Sequence, residues 1–277
     1  RDALYYAYYG EPIHHVARHE GVSTERYKLF WLPDTKEWQL FDRQKDPLEL
    51  RSVADDPEYA PVLAQMQQRY SELRRQYHVH SALLPEPRNN TPWWSERMKA
   101  KNAEARSGSH DLLFIGDSIT HGWEKSGAAV WKEYYSDRKP FNLGFSGDRT
   151  EHVIWRLENG NLRGQQKAKV AVLMIGTNNT GHKQQDPEET AEGVARILSV
   201  LRARCPETKV LLLAVFPRGK NADDPLRQIN NRLNQRLASL ADGQRVHWLD
   251  MNKVFLEPDG TLSPTIMPDY LHPNEEG

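Results

Sequence analysis

The sequence predicts a three-layer α/β/α domain on a five-stranded, mainly parallel sheet, preceded by a small α+β subdomain with an antiparallel sheet. Three observations carry this. From about residue 112 onward, strand-sized apolar runs alternate with segments whose apolar residues recur at helical spacing, the pattern of a parallel sheet covered by helices on both sides. Before residue 80 the pattern is short, β-like and broken by turn-formers. Between them lies a stretch rich in proline and asparagine, residues 84–92. The chain therefore divides into a subdomain over 1–80, a linker over 81–107 and a larger domain over 108–277.

Taken in order, strands are expected at 15–18, 27–32 and 38–41, separated by Glu20-Gly21 and Pro33-Asp34-Thr35. A helix follows from Asp56-Pro57-Glu58, with Val62, Leu63, Met66, Tyr70 and Leu73 on one face, to about Tyr77. In the larger domain the apolar runs 112–115, 141–143, 170–175, 210–216 and 246–249 read as strands. Asp186-Pro187-Glu188-Glu189 is a capped helix start with proline in the first turn, and Ala191, Val194, Ile197, Leu198 and Leu201 continue it. A second helix begins at Pro225, with Leu226, Ile229, Leu233, Leu237 and Leu240 on one side.

Composition narrows the function. With 37 basic and 38 acidic residues the formal charge is −1, so no basic excess exists to hold a phosphate backbone, and nucleic acid is not an expected partner. The longest apolar runs are strand-sized, far short of the ~20 residues that span a bilayer, so no membrane insertion is expected. The single cysteine, Cys205, forms no internal disulfide and leaves the compartment open between cytoplasm and periplasm. The opening Arg1-Asp2-Ala3 has neither an initiator methionine nor an apolar leader, and the chain stops five residues after His272, so both ends read as cut. Nothing in the sequence speaks to oligomeric state.

Open α/β sheets bind ligands outside the carboxyl ends of their strands. The first strand is followed by Gly116-Asp117-Ser118, the second by Gly144-Phe145-Ser146-Gly147-Asp148 and the third by Gly176-Thr177-Asn178-Asn179; a loop past the last ends in Asp269-Tyr270-Leu271-His272. Together they hold what acyl transfer needs. A serine hydroxyl is a poor nucleophile until a positioned base takes its proton, and an imidazole titrates in the right range. His272 can be that base for Ser118, and Asp269, three residues earlier, can fix its tautomer. Donors must meet the developing oxyanion; the backbone N–H groups of Ser118 and Gly147 and the amide of Asn178 are the candidates. Alone, Gly-Asp-Ser is an ordinary turn and Asn-Asn a loop cap. Their occurrence in order, each after its own strand, selects the catalytic reading.

These blocks resemble those of the SGNH/GDSL hydrolase superfamily, over about residues 108–277. Residues 142–162 and Pro217-Arg218-Gly219 are most similar to the platelet-activating-factor acetylhydrolase branch. The resemblance implies a flavodoxin-like fold and a serine esterase that uses no cofactor or metal. It places Ser118 as nucleophile, Asp269 and His272 as its partners, and Ser118, Gly147 and Asn178 in the oxyanion hole, with Gly144 the alternative to Gly147. Residues 1–78 resemble instead the C-terminal subdomain of sulfatases, through Arg18-His19-Glu20-Gly21, residues 24–29, Trp38-Gln39-Leu40-Phe41-Asp42 and Lys45-Asp46-Pro47-Leu48-Glu49-Leu50. The sulfatase nucleophile motif and calcium carboxylates are absent from the sequence, so no sulfatase activity is expected.

The joint expectation is an esterase that removes short acyl groups, acetyl first, from a small ester or a glycan that can also carry sulfate, in a periplasmic or secreted setting. A lipid-directed acetylhydrolase or lysophospholipase, and a non-catalytic carbohydrate-binding module of a sulfatase fusion, are the alternatives. Other residues take plainer readings. Trp123 is expected in the core or the acyl pocket, Arg218 in a structural ion pair, Trp93-Trp94 against the domain, and His152 and His182 beside the pocket. His14, His15 and His19 lack a fixed carboxylate or cysteine partner and are not expected to bind metal. Tyr5, Tyr6, Tyr8 and Tyr9 are read as aromatic surface, Asp46 and Glu49 as surface or loop residues.

Overall fold

The structure is a computed structural model that describes residues 2–8, 17, 19–32, 35–77 and 80–277. The chain forms two compact units, Arg1–His80 and Ser81–Gly277.

In the first unit, four strands are described: β1 (Leu4–Tyr8), β2 (His19–Ser23), β3 (Tyr27–Leu32) and β4 (Glu37–Asp42), antiparallel in that order. Helix α1 (Ala60–Gln76) lays Met66, Tyr70 and Leu73 on Val22, Leu29 and Leu40, the small core that the helical spacing predicts. Two readings change. Glu20-Gly21 is inside β2, not a turn, with Glu20 opposite Trp31 and Gly21 opposite Phe30. The Glu20 carboxylate is buried because Tyr5 and Tyr70 donate to it at 2.8 and 2.9 Å and Arg74 pairs with it at 3.2 Å, partners that local sequence cannot show. The Tyr5–Tyr8 run is a paired strand. Of the proposed strand at 15–18 only Ala17 is described, and it is in no strand; the rest of it, and Pro33-Asp34 of the turn, lie outside the described residues. Asp46 accepts from the N–H groups of Leu50 and Arg51, and Glu49 pairs with Lys28 at 2.6 Å.

The first long helix of the second unit is α2 (Pro92–Ser107), in the segment expected to be a linker. Its polar surface hides a buried stripe of Trp94, Met98 and Ala105. Then follow β5 (Leu112–Gly116), α3 (Ser118–His121), α4 (Ala128–Tyr135), β6 (Pro140–Gly144), α5 (Thr150–Arg156), β7 (Val170–Met174), α6 (Thr177–His182), α7 (Pro187–Arg204), β8 (Lys209–Leu213), α8 (Pro225–Ala238) and β9 (Val246–Leu249). The five strands are parallel in the order β6-β5-β7-β8-β9. This is the flavodoxin-like order, and its crevice lies where β5 meets β7. β8 stops at Leu213 rather than 216 because pairing with β9 runs out at Leu249.

One face of the sheet, with Leu113, Ile115, Leu143, Leu173 and Leu212, packs on α5, α7 and α8 in the main core. On the other face, Phe114 meets Trp131 and Tyr135 of α4. Leu112, Val170, Val172, Leu211 and Leu213 on that side line an open groove of about 1030 Å³. Among the described residues no helix is long and apolar enough to cross a membrane.

Candidate active site

The site grows out of the strand ends at the crevice. After β5, the buried Asp117 caps α3 by accepting from the Ile119 N–H at 3.0 Å, which makes Ser118 the first residue of that helix. At the end of β6 the backbone of α3 presses on Gly144: a Cβ there would lie 2.2 Å from the His121 nitrogen and 2.5 Å from the Thr120 carbonyl carbon. Gly147 does a different job. Its φ of +76° turns the loop in a conformation that side-chain-bearing residues avoid, next to the serine.

The serine hydroxyl lies 2.8 Å from His272 Nε2, and His272 Nδ1 lies 2.6 Å from Asp269 Oδ2. An ionised carboxylate only accepts, so Nδ1 carries the proton and Nε2 is left free to accept from the serine. The other Asp269 oxygen accepts from the backbone N–H groups of His272 (2.7 Å) and Leu271 (3.1 Å). One carboxylate thus folds the turn, with Tyr270 at φ +56° inside it, and orients the ring. Partial burial pushes the Asp269 carboxyl up, but the His272 ring and backbone bonds outweigh it and hold the group below the ordinary carboxylate range.

Asn178, buried on α6, donates one amide hydrogen to the Asp148 carbonyl at 2.9 Å and keeps the second. Ser118, Ser146, Gly147, Asn178, His182 and His272 together line a cleft of about 460 Å³. That is within the size of small-molecule sites. All five residues expected from sequence are therefore brought to one cleft or to the turn that serves it.

What sequence reasoning missed is the scaffold of the Gly147 loop. Asp148 is buried and accepts from Arg156 Nε (2.7 Å), Trp94 Nε1 (2.8 Å) and Arg88 (3.3 Å). Arg88 also donates to the Ser146 carbonyl at 2.7 Å and Arg97 to the Gly144 carbonyl at 2.9 Å. These arginines lie in α2 or its approach, roughly half a hundred residues upstream of their partners, so only the acidic block Asp148 itself offered a signal. Asn179 completes the support: its side chain accepts from the Thr150 N–H and donates to Gln185 and Thr150 Oγ1, joining α5 to α6.

The remaining candidates sort out plainly. Trp94 is buried against Phe145 and Trp155, while Trp93 stacks on His121. Trp123 packs with Trp131 and Tyr135 and borders the open groove, not the cleft at Ser118. His152 is buried, accepting from the Arg149 N–H, and burial drives its pKa down to about 2; it is not among the residues that line the cleft, where it was expected. His182 does; burial and the nearby Arg218 hold it below the ordinary histidine range. Arg218, expected in an ion pair, has none among the described residues and donates instead to the Thr177 carbonyl at 3.1 Å. Glu86, Glu151 and His152 bring potential ligand atoms within 4.8 Å of one another, but Arg149 (2.6 Å) and Lys183 (3.1 Å) already neutralise Glu151. His19 packs on Phe30; His14 and His15 lie outside the described residues.

Comparison with known proteins settles the family. Residues 114–277 match the model described as the GDSL-like Lipase/Acylhydrolase family. The chain belongs to that family. It is an ester hydrolase by that membership. Platelet-activating factor acetylhydrolase IB subunit alpha1 of Bos taurus is 37% identical to this acylhydrolase over 171 residues, covering 61% of this chain and 71% of that one. The alpha2 subunit of Rattus norvegicus is 39% identical over 163 residues, covering 58% and 68%. A GDSL-like lipase from Bacteroides thetaiotaomicron shares the fold at a TM-score of 0.54 and 19% identity, covering 65% of this chain and 89% of that one. Residues 1–76 match the model described as N-sulphoglucosamine sulphohydrolase, C-terminal, in line with the sulfatase resemblance of the first unit.

Proposed function

We propose that this acylhydrolase removes short acyl groups, acetyl first, from a carbohydrate, with Ser118 as nucleophile, His272 as base and Asp269 as orienter. The observation that carries the reading is the continuous hydrogen-bonded line from the Ser118 hydroxyl through His272 to Asp269, at 2.8 and 2.6 Å. Ser118 Oγ attacks the ester carbonyl as its proton passes to His272 Nε2. The tetrahedral oxyanion is met by the N–H groups of Ser118 and Gly147 and the free amide hydrogen of Asn178. Collapse breaks the ester C–O bond, and His272 returns the proton to the departing alcohol oxygen. Water then repeats the sequence on the acyl-serine, giving the carboxylic acid and the free serine. Each oxyanion donor is worth roughly 2.7–4 kcal/mol of barrier.

Acetyl is favoured by the names of the relatives, which are acetylhydrolases. A carbohydrate alcohol is favoured by the first unit, which resembles part of an enzyme named for a sulfated amino sugar. We read the chain as two modules, with the chemistry in the second. The relatives' naming for platelet-activating factor supports a second reading, a lipid alcohol. Hydrolysis of p-nitrophenyl esters of rising acyl length, with Ser118→Ala as control, followed by acetate release from an acetylated polysaccharide and an acetylated ether lipid, tests both. Equal rates for wild type and Ser118→Ala would sink the serine mechanism and leave a non-catalytic module. Release from the lipid alone would sink the carbohydrate assignment.

A further inference from the structure

We propose that Arg218 is a specificity-determining residue of this site, seating an anionic sulfate or phosphate group carried by the alcohol half of the substrate. The inference rests on the esterase reading of Ser118, since on that reading the acetyl half carries no charge.

The residue is built into place. It leaves β8 through Pro217 and is followed by Gly219, at φ +79°, whose N–H donates to the Tyr270 carbonyl at 3.0 Å. The loop is thereby tied to the turn that holds Asp269 and His272. Arg227, itself 3% exposed, donates to the carbonyls of Arg218, Gly219, Lys220 and Gly260, fixing the loop from behind. The Arg218 guanidinium lies along α6: Nη1 donates to Thr177 O, one residue before Asn178, and a Cβ at Gly181 would come within 2.1 Å of that nitrogen. So the cation is held against α6 at Thr177 and Gly181, next in the chain to the cleft-lining His182; Arg218 adjoins that lining and is not itself one of the residues that form it.

Its charge is unspent. Arg88 and Arg156 pair with Asp148, Arg97 with Glu124 and Arg149 with Glu151. Arg218 has no carboxylate within 4 Å among the described residues. Burial works against it, and Asp224, Asp117 and Asp269 offset that only from a distance. A guanidinium stays charged regardless, and offers five donors in a plane that fits an oxyanion. One carbonyl uses only one of them. The cleft agrees in sign: in a chain of net charge −1, none of the described residues lining it is acidic, and Lys125 stands among them.

The test is a charge series of aryl acetates: phenyl acetate, 4-acetoxybenzenesulfonate, 4-acetoxyphenyl phosphate and an acetoxy-trimethylanilinium. Wild type is expected to favour the anionic esters over the neutral and cationic ones. In Arg218→Gln the anionic-to-neutral ratio of kcat/KM should fall tenfold or more, mainly through KM, and Arg218→Lys should restore part of it. The sulfonate and phosphate arms separate the two anions. A ratio unchanged in Arg218→Gln overturns the proposal, and so does an equal fall for every ester, which marks a structural role. Calorimetric binding of 4-hydroxybenzenesulfonate and 4-hydroxyphenyl phosphate to Ser118→Ala, with and without Arg218→Gln, reads the seat without turnover. Binding lost with Arg218 but no hydrolysis by wild type would sink the esterase reading and keep the anion seat; binding indifferent to Arg218 overturns the seat itself.

Discussion

Adding one methyl group at Gly144 is the sharpest test of how Ser118, the proposed nucleophile, is positioned. The Ala Cβ would sit 2.2 Å from the His121 nitrogen, short by 1.2 Å of the 3.4 Å at which ordinary contact begins. The atoms it meets are backbone, in the helix whose first residue is Ser118, so no rotamer change can relieve the clash. Either β6 or α3 must move by about an ångström, and Ser118 moves with α3 while His272 is held on a separate loop. A misplacement of that size costs roughly 100-fold in rate, about 2.7 kcal/mol of barrier. Overpacking also costs about 1–3 kcal/mol of stability. Gly144→Ala is therefore expected to stay folded by circular dichroism, with a lowered Tm, and to lose about two orders of magnitude in kcat/KM on p-nitrophenyl acetate. Gly147→Ala is the contrast. Its Cβ would meet only the end of Arg88, at 3.2 Å, and its penalty is the φ of +76°, roughly 1–2 kcal/mol of local strain. Folded Gly144→Ala protein with activity within threefold of wild type would refute the idea that close approach to α3 sets the serine.

Asp269→Asn keeps an oxygen for the turn but can leave the imidazole in the wrong tautomer, so kcat should fall by roughly 10³–10⁴; a loss under tenfold in steady-state assays counts against Asp269 as orienter. Burial pushes the Asp117 carboxyl from 3.8 up to about 7, with the Ile119 N–H and His272 opposing and Asp148 adding to it. A raised carboxyl pKa contributes stability below pH 4 that is lost as pH rises to about 7. Asp117→Asn, which keeps the cap on α3, should then melt higher than wild type at pH 8 and match it at pH 4; a difference independent of pH rejects a titrating Asp117. Arg156→Met strands the buried Asp148 charge and should cost about 3–5 kcal/mol in urea unfolding, most of it regained when Asp148→Asn is added. An uncorrected double mutant would show that the ion pair is not the cause.

The sheet is legible because each of its strands is an apolar run between turn-formers, and the candidate site is legible because its residues cluster at strand ends and the structure brings them together. Strand boundaries shift by about a residue at β4, β5, β6 and β7 and by three at β8, where pairing with β9 runs out. What stayed hidden depends on distance. Helix α2 reads as linker because its apolar stripe is just Trp94, Met98 and Ala105 beneath a charged surface, although Pro92 after Thr91 is a helix-start signal. Glu20-Gly21 reads as a turn because the hydroxyls that make a buried glutamate tolerable come from β1 and α1. Asp148 carried no visible role because Arg88, Trp94 and Arg156 converge on it only in the folded chain. The resemblance offers Gly144 as the alternative to Gly147, with spacing in favour of Gly147; the backbone uses both, Gly144 for close approach to α3 and Gly147 for its positive φ.

The Asp269–His272 turn has a mechanical consequence. The proposed base and its orienter ride on four consecutive residues, laced by three hydrogen bonds to a single carboxylate. The pair therefore behaves as a cartridge with one point of engagement, the 2.8 Å link to Ser118. Displacing the cartridge disarms the serine at once, yet the imidazole inside stays oriented and ready to re-engage. A base and orienter drawn from distant strands would have two alignments to recover; a pair on one turn has one, and the Gly219 tether to Tyr270 makes the loop after β8 its handle.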